Sequence, residues 1–176
     1  MRPEELLADG FARLPRILAG ALGGLDEQRL ARRPAAGANP LAWLAWHIAR
    51  GQDTWVADLA GGPQVWTAEG WYERFALPFA PDEIGFGMSA EDTERVVAPV
   101  DLLAGYLDAV TARTLVYLGT LTEQDLDGIV DASRRPAVTR GVQLVSILDD
   151  NLQHAGQAGY ARGILDRSLP RNRRPH

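Results

Sequence analysis

The 176-residue sequence contains no cysteine. Disulfides, thiolate metal sites and cysteine nucleophiles are therefore excluded, and any thiol chemistry needs a sulfur supplied from outside the chain. Lysine is absent too: the 18 basic residues are all arginine, against 23 acidic ones, for a net charge of −5. That balance lacks the basic surface of a general nucleic-acid binder, so no nucleic-acid partner is expected. The one basic cluster is the tail, Arg171-Asn172-Arg173-Arg174, which reads as a solvated end. No apolar run approaches the roughly 20 residues that span a bilayer, so no membrane partner is expected either. The start, Met1-Arg2-Pro3-Glu4-Glu5, lacks the basic-then-apolar order of a secretion signal, and a cytoplasmic location is the expectation. Histidine is scarce: His47, His154 and the terminal His176 make up the set.

Hydrophobic residues supply 46 % of the chain and charged residues 23 %. This suits one ordinary globular domain whose core needs no staples. No repeat or low-complexity linker divides it, so residues 1–168 are expected to form one domain, with a basic tail at 169–176. Four segments carry helical periodicity. The first runs from Glu4 to Leu22, with Pro15 inside it predicting a kink or a break. The second runs from Pro40 to Leu59, with Asn39 as N-cap and Gly61-Gly62-Pro63 as stop. The third runs from Pro99 to Leu118. The fourth runs from Thr139, a candidate cap, to Leu165. An all-α bundle follows.

Residues 61–98, between the second and third helices, are rich in glycine, proline and aromatics, including Trp66, Trp71, Tyr72, Phe75, Phe79 and Phe86. A connection this long is usually functional or disordered. So many aromatics argue for packing over the bundle, either as a cover that lines a pocket or as a crossover that completes the core. A short helix is expected within Thr67–Tyr72.

Two histidines fall within helices. On the fourth, Asp150, His154 and Gln157 follow at i, i+4 and i+7 and share one line on the surface. On the second, His47 shares a line with Gly51, Thr54 and Asp58. Both histidines border an apolar face, which places them at a groove or an open end of the bundle. Two imidazoles and one carboxylate are competent ligands for a divalent metal with open positions. The competing reading is a partly buried His154 hydrogen-bonded to Asp150. Asn151 lies in the apolar arc, so it is expected to be buried and hydrogen-bonded, as a structural partner or to orient His47 or His154. There is no Gly-rich phosphate loop, and Ser89, Ser133, Ser146 and Ser168 lack the setting of a nucleophile elbow.

The stretch Leu148-Asp149-Asp150-Asn151-Leu152-Gln153-His154-Ala155-Gly156-Gln157-Ala158-Gly159-Tyr160 resembles the last-helix motif of DinB-like proteins. Leu41-Ala42-Trp43-Leu44-Ala45-Trp46-His47-Ile48-Ala49-Arg50 resembles their second helix. Gly70-Trp71-Tyr72-Glu73-Arg74-Phe75 and Gly85-Phe86-Gly87-Met88 look like an actinobacterial-type branch. The superfamily includes mycothiol-dependent maleylpyruvate isomerases and bacillithiol and mycothiol S-transferases. The resemblance implies an up-down-down-up four-helix bundle with a long aromatic-rich crossover, often a homodimer. It also implies a divalent metal, zinc or nickel or else iron, on three histidines. His47 and His154 match two of them. Asp150 stands where many members carry the third. Gln157 stands where thiol-transferase members carry a later histidine.

The expected function is a metal-binding transferase or isomerase that acts on a small molecule with mycothiol or another low-molecular-weight thiol. His47, His154 and Asp150 are the expected ligands, with Gln157 and Asn151 orienting ligands or substrate. A non-catalytic small-ligand or stress-response bundle that has lost the full metal site is the alternative. A metal-dependent hydrolase is less suited, because Asp150 cannot easily be both ligand and general base.

Overall fold

The computed structural model describes residues 2–168. The tail at 169–176, with its arginine cluster and His176, lies outside the described residues. Most of the described residues are helical. Its elements are α1 (Pro3–Ala12), α2 (Leu14–Leu22), α3 (Glu27–Ala31), α4 (Leu41–Ala60), α5 (Val65–Ala68), α6 (Trp71–Phe75), α7 (Ala90–Glu94), α8 (Val100–Leu118), α9 (Glu123–Leu126), strands β1 (Ile129–Asp131) and β2 (Val138–Thr139), and α10 (Arg140–Ser168). The first expected helix is two: it breaks at Arg13, and Pro15 lies in the opening turn of α2, where its missing N–H costs nothing. Helix α4 begins one residue later than expected, with extended Pro40 rather than Asn39 at the cap. The Thr139 hydroxyl accepts from the Val142 backbone N–H at 3.3 Å, as a cap should. The antiparallel pair β1–β2 was not anticipated; a strand of two or three residues is too short to show a period.

Helix α10 packs against α4 and α2, α4 and α1 pack against α8, and α3 lies on α4. The core runs through Phe11, Leu14, Leu18 and Leu22, then Leu44 and Ile48, then Leu103, Leu107 and Val110, and Leu144, Ile147 and Ala158. Helix α4 is the centre of the molecule. Every residue from Leu41 to Asp53 is buried, whereas the sequence suggests a single apolar stripe. The difference lies in the crossover, which covers the face that would otherwise meet water. It does so with Trp66 and Phe79, which meet Trp46 of α4, while Trp71 and Phe75 pack on Tyr106 of α8. The crossover thus completes the core, and its later part reaches the site described below. Its expected single short helix is divided into α5 and α6 by Gly70, at φ +70°.

Two polar residues of α4 fasten the crossover. Arg50 is fully buried. Its guanidinium donates to the carbonyls of Glu83 and Pro81, each at 3.1 Å, and to Gln64 Oε1 at 2.9 Å. Asp53 accepts from the backbone N–H groups of Val65 and Trp66 and from the Tyr106 hydroxyl, all at 2.8 Å. Burial lifts the Tyr106 phenol well above its ordinary range. These bonds satisfy buried charges that would be costly if left alone.

Candidate metal centre

His47, Asp150 and His154 converge. One donor atom from each lies within 4.8 Å of the other two. The imidazole centroids of His47 and His154 are 4.8 Å apart, and their planes cross at 84°. Helix α4 delivers one ring, and one turn of α10 delivers the other ring together with the carboxylate. His47 is buried, His154 is partly buried and Asp150 is exposed. Both histidines thus meet at a cleft, as expected, although His47 lies deeper than a groove edge.

The outer nitrogens have partners. His47 Nδ1 is 2.5 Å from the Ile84 carbonyl, so Nδ1 carries the proton and Nε2 is left with its lone pair. His154 Nδ1 is 3.1 Å from Gln157 Oε1, which in the same way leaves Nε2 for the centre. A histidine that ligates a metal generally donates its second N–H to an oxygen in this manner. Trp43 stacks on His47, with centroids 4.6 Å apart and planes 11° apart, and meets His154 edge-on at 5.9 Å. Its indole N–H donates to Met88 Sδ at 3.4 Å. Gly85 lies against these rings at φ +94°. A Cβ there would fall 2.8 Å from His47 Nδ1 and 3.2 Å from the Trp43 indole. Only glycine combines that backbone with that approach.

The electrostatics separate the two rings. Burial pushes the His47 imidazole below its ordinary value, and His154 adds to that; the bond to Ile84 opposes it. Contact with Asp150 raises His154, whose Nε2 lies 3.5 Å from the carboxylate. The same contact with His154 holds the Asp150 carboxyl below the usual carboxylate range. The surroundings therefore favour the neutral form of His47, the ionised form of Asp150 and the protonated form of His154.

These groups fit a divalent cation of the zinc, nickel or iron kind. Two imidazoles and a carboxylate suit such an ion, and three protein donors leave a position for a further ligand. Donors about 2.1 Å from one ion lie about 3.4 Å apart in a tetrahedral site. The three donor atoms, within 4.8 Å of one another, therefore close in by up to about 1.4 Å on binding.

Of the remaining residues singled out in the sequence, Gln157 stands on His154. Asn151 is buried, and its amide donates to Gln52 Oε1 at 2.8 Å. Gln52 passes the chain on to Thr114, and Thr114 to the Val110 carbonyl. The residues that sequence reasoning missed are Trp43, Ile84, Gly85 and Arg50. A backbone carbonyl such as that of Ile84 leaves no mark in a sequence. The Gly85-Phe86-Gly87 alternation is the one signal that a tight backbone approach offered.

The sequence pattern of the DinB superfamily matches residues 11–158. A conserved protein from Enterococcus faecalis, known from its crystal structure, superposes with a TM-score of 0.89 at 31 % identity, over 96 % of this chain and 99 % of that one. No curated protein matches the chain significantly.

Proposed function

The chain belongs to the DinB superfamily, and from that premise we propose that His47, Asp150 and His154 hold one divalent ion and that the protein is a thiol-dependent transferase or isomerase of a small-molecule substrate. The observation that carries this reading is the convergence of three donors whose two imidazoles each have the outer nitrogen engaged by an oxygen. Bound there, zinc, nickel or iron would lower the pKa of an external thiol, mycothiol or another low-molecular-weight thiol, and so supply a thiolate nucleophile. The absence of cysteine agrees with a sulfur brought from outside.

The chain's own part is positioning. Ile84 and Gln157 set which nitrogen of each ring faces the centre. Trp43, stacked on His47, keeps that ring from turning and shields one side of it from water. Asp150 contributes the negative charge. The up-down-down-up helix order, a homodimeric state and a cytoplasmic location belong to the same proposal, on family grounds.

Metal content of protein purified without an affinity tag tests the reading. After addition of zinc or nickel, about one ion per chain is expected, with loss in His47→Ala and His154→Ala. Less than about a tenth of an ion per chain would reject it. In the cobalt-loaded protein, titration with N-acetylcysteine should then produce thiolate-to-cobalt absorption; a spectrum unchanged by thiol would remove the thiol-dependent part.

A further inference from the structure

Gly51 lies one turn beyond His47 on α4 and is buried, yet a Cβ built on it would meet no heavy atom within 4 Å. The open space in front of it belongs to a cavity of about 380 Å³ between α4, α10 and the crossover. Trp55, Ile84, Phe86 and Ile147 supply its apolar lining, and His47 and Asp150 line it too. Phe86 is 88 % exposed and Trp55 46 % exposed. Two large aromatic faces are thus held in water at the mouth, where a ligand could cover them favourably. Gly85 and Gly87, both at positive φ, turn the backbone on either side of Phe86.

The polar groups of this cavity are few. Among the described residues that line it, Asp150 bears the one formal charge. Arg50 is fully enclosed behind α4 by its carbonyl partners and cannot meet an anion. The Ser146 hydroxyl is turned back onto the Val142 carbonyl at 2.9 Å. Gln143 is half-buried, and its amide has no hydrogen bond among the described residues.

We infer that this cavity is the subsite for an uncharged apolar ligand body, a single aromatic system or an alkyl group, bearing a neutral hydroxyl, carbonyl or amide that the Gln143 side chain meets. The inference rests on the proposed function only in placing the ligand's reactive end at the His47–Asp150 edge. An anionic body gains nothing from walls without a cation and loses its hydration.

The test uses the full chain with chelator present, so that it does not depend on a metal. Two probes with the same rings, 2-naphthylmethanol and 2-naphthoate, are titrated and followed by ligand-observed NMR. The alcohol should bind at least tenfold more tightly than the carboxylate. Gly51→Leu should weaken the alcohol at least tenfold by filling the cavity, and because leucine is the better helix former the fold is retained, as circular dichroism would verify. Phe86→Ala should weaken it about fivefold. Naphthoate binding as tightly as the alcohol, no binding of the alcohol at millimolar concentration, or an unchanged affinity in folded Gly51→Leu would overturn the inference. Metal uptake by the protein after the chelator is removed is a separate readout, so a failed metal centre and a failed subsite give different results.

Discussion

Replacing Gly85 with alanine should cost far more than an exposed loop position normally does. Two costs add. At φ +94° an L-residue is strained, which is worth about 1–3 kcal/mol. The new Cβ would also stand 2.8 Å from His47 Nδ1 and 3.2 Å from Trp43. Neither ring can retreat freely, because they stack on each other at 4.6 Å, and overpacking of this kind costs about 1–3 kcal/mol. The sum is about 2–6 kcal/mol, or roughly 10 °C in midpoint at the middle of that range for a chain of this size. Gly87→Ala is the control. Its φ of +73° is comparable, but nothing lies within 4 Å of its would-be Cβ, so it should cost about 1–2 kcal/mol. Urea denaturation of the metal-free proteins measures both. The Gly85 variant should also displace the Ile84 carbonyl from His47, visible as a changed tautomer in nitrogen-15 spectra of the imidazole. Equal destabilisation by the two alanines, with the His47 tautomer unchanged, would refute the close approach as a structural requirement.

Three further outcomes follow from the same geometry. Arg50→Met should destabilise the fold by about 3–5 kcal/mol in denaturant, since it strips a buried partner from Asp53 and from the Glu83 and Pro81 carbonyls. In the metal-free protein, proton NMR should find His154 titrating above the ordinary histidine value and His47 below it. The raised group binds its proton more tightly when folded. Its stabilisation is therefore full below the unfolded value and fades as pH rises through the folded one, and Asp150→Asn should abolish the elevation. Asn151→Ala should cost about 1–3 kcal/mol by leaving Gln52 Oε1 unpaired in the core, and a loss under half a kilocalorie per mole in thermal unfolding would contradict that role.

The sequence carried the helices better than their surroundings. Periodicity places Asp150 and His154 on one line of α10, since that is a local property of a 3.6-residue helix. It also marks Asn151 as a polar residue inside an apolar arc, and the structure buries it. The break near Pro15 is legible because a missing N–H acts where it occurs. The all-round burial of Leu41 to Asp53 in α4 is not legible, because it depends on a crossover whose path is set by tertiary contacts of Trp66, Arg50 and Asp53. Beyond that stretch the large apolar Trp55 of the same helix is half in water. The site follows the same division. Its three donors are side chains with recognisable chemistry, whereas the carbonyl that orients His47 belongs to a residue 37 positions away whose identity is irrelevant to the bond.

Whether two helices hold one ion between them is decided most directly by diffraction at the zinc edge from crystals of the zinc-treated protein. One anomalous peak per chain is expected, about 2.1 Å from Nε2 of His47 and from Nε2 of His154, with an Asp150 oxygen drawn in beside it. A difference map with no peak between those rings, or with zinc only at surface carboxylates, would contradict the metal centre.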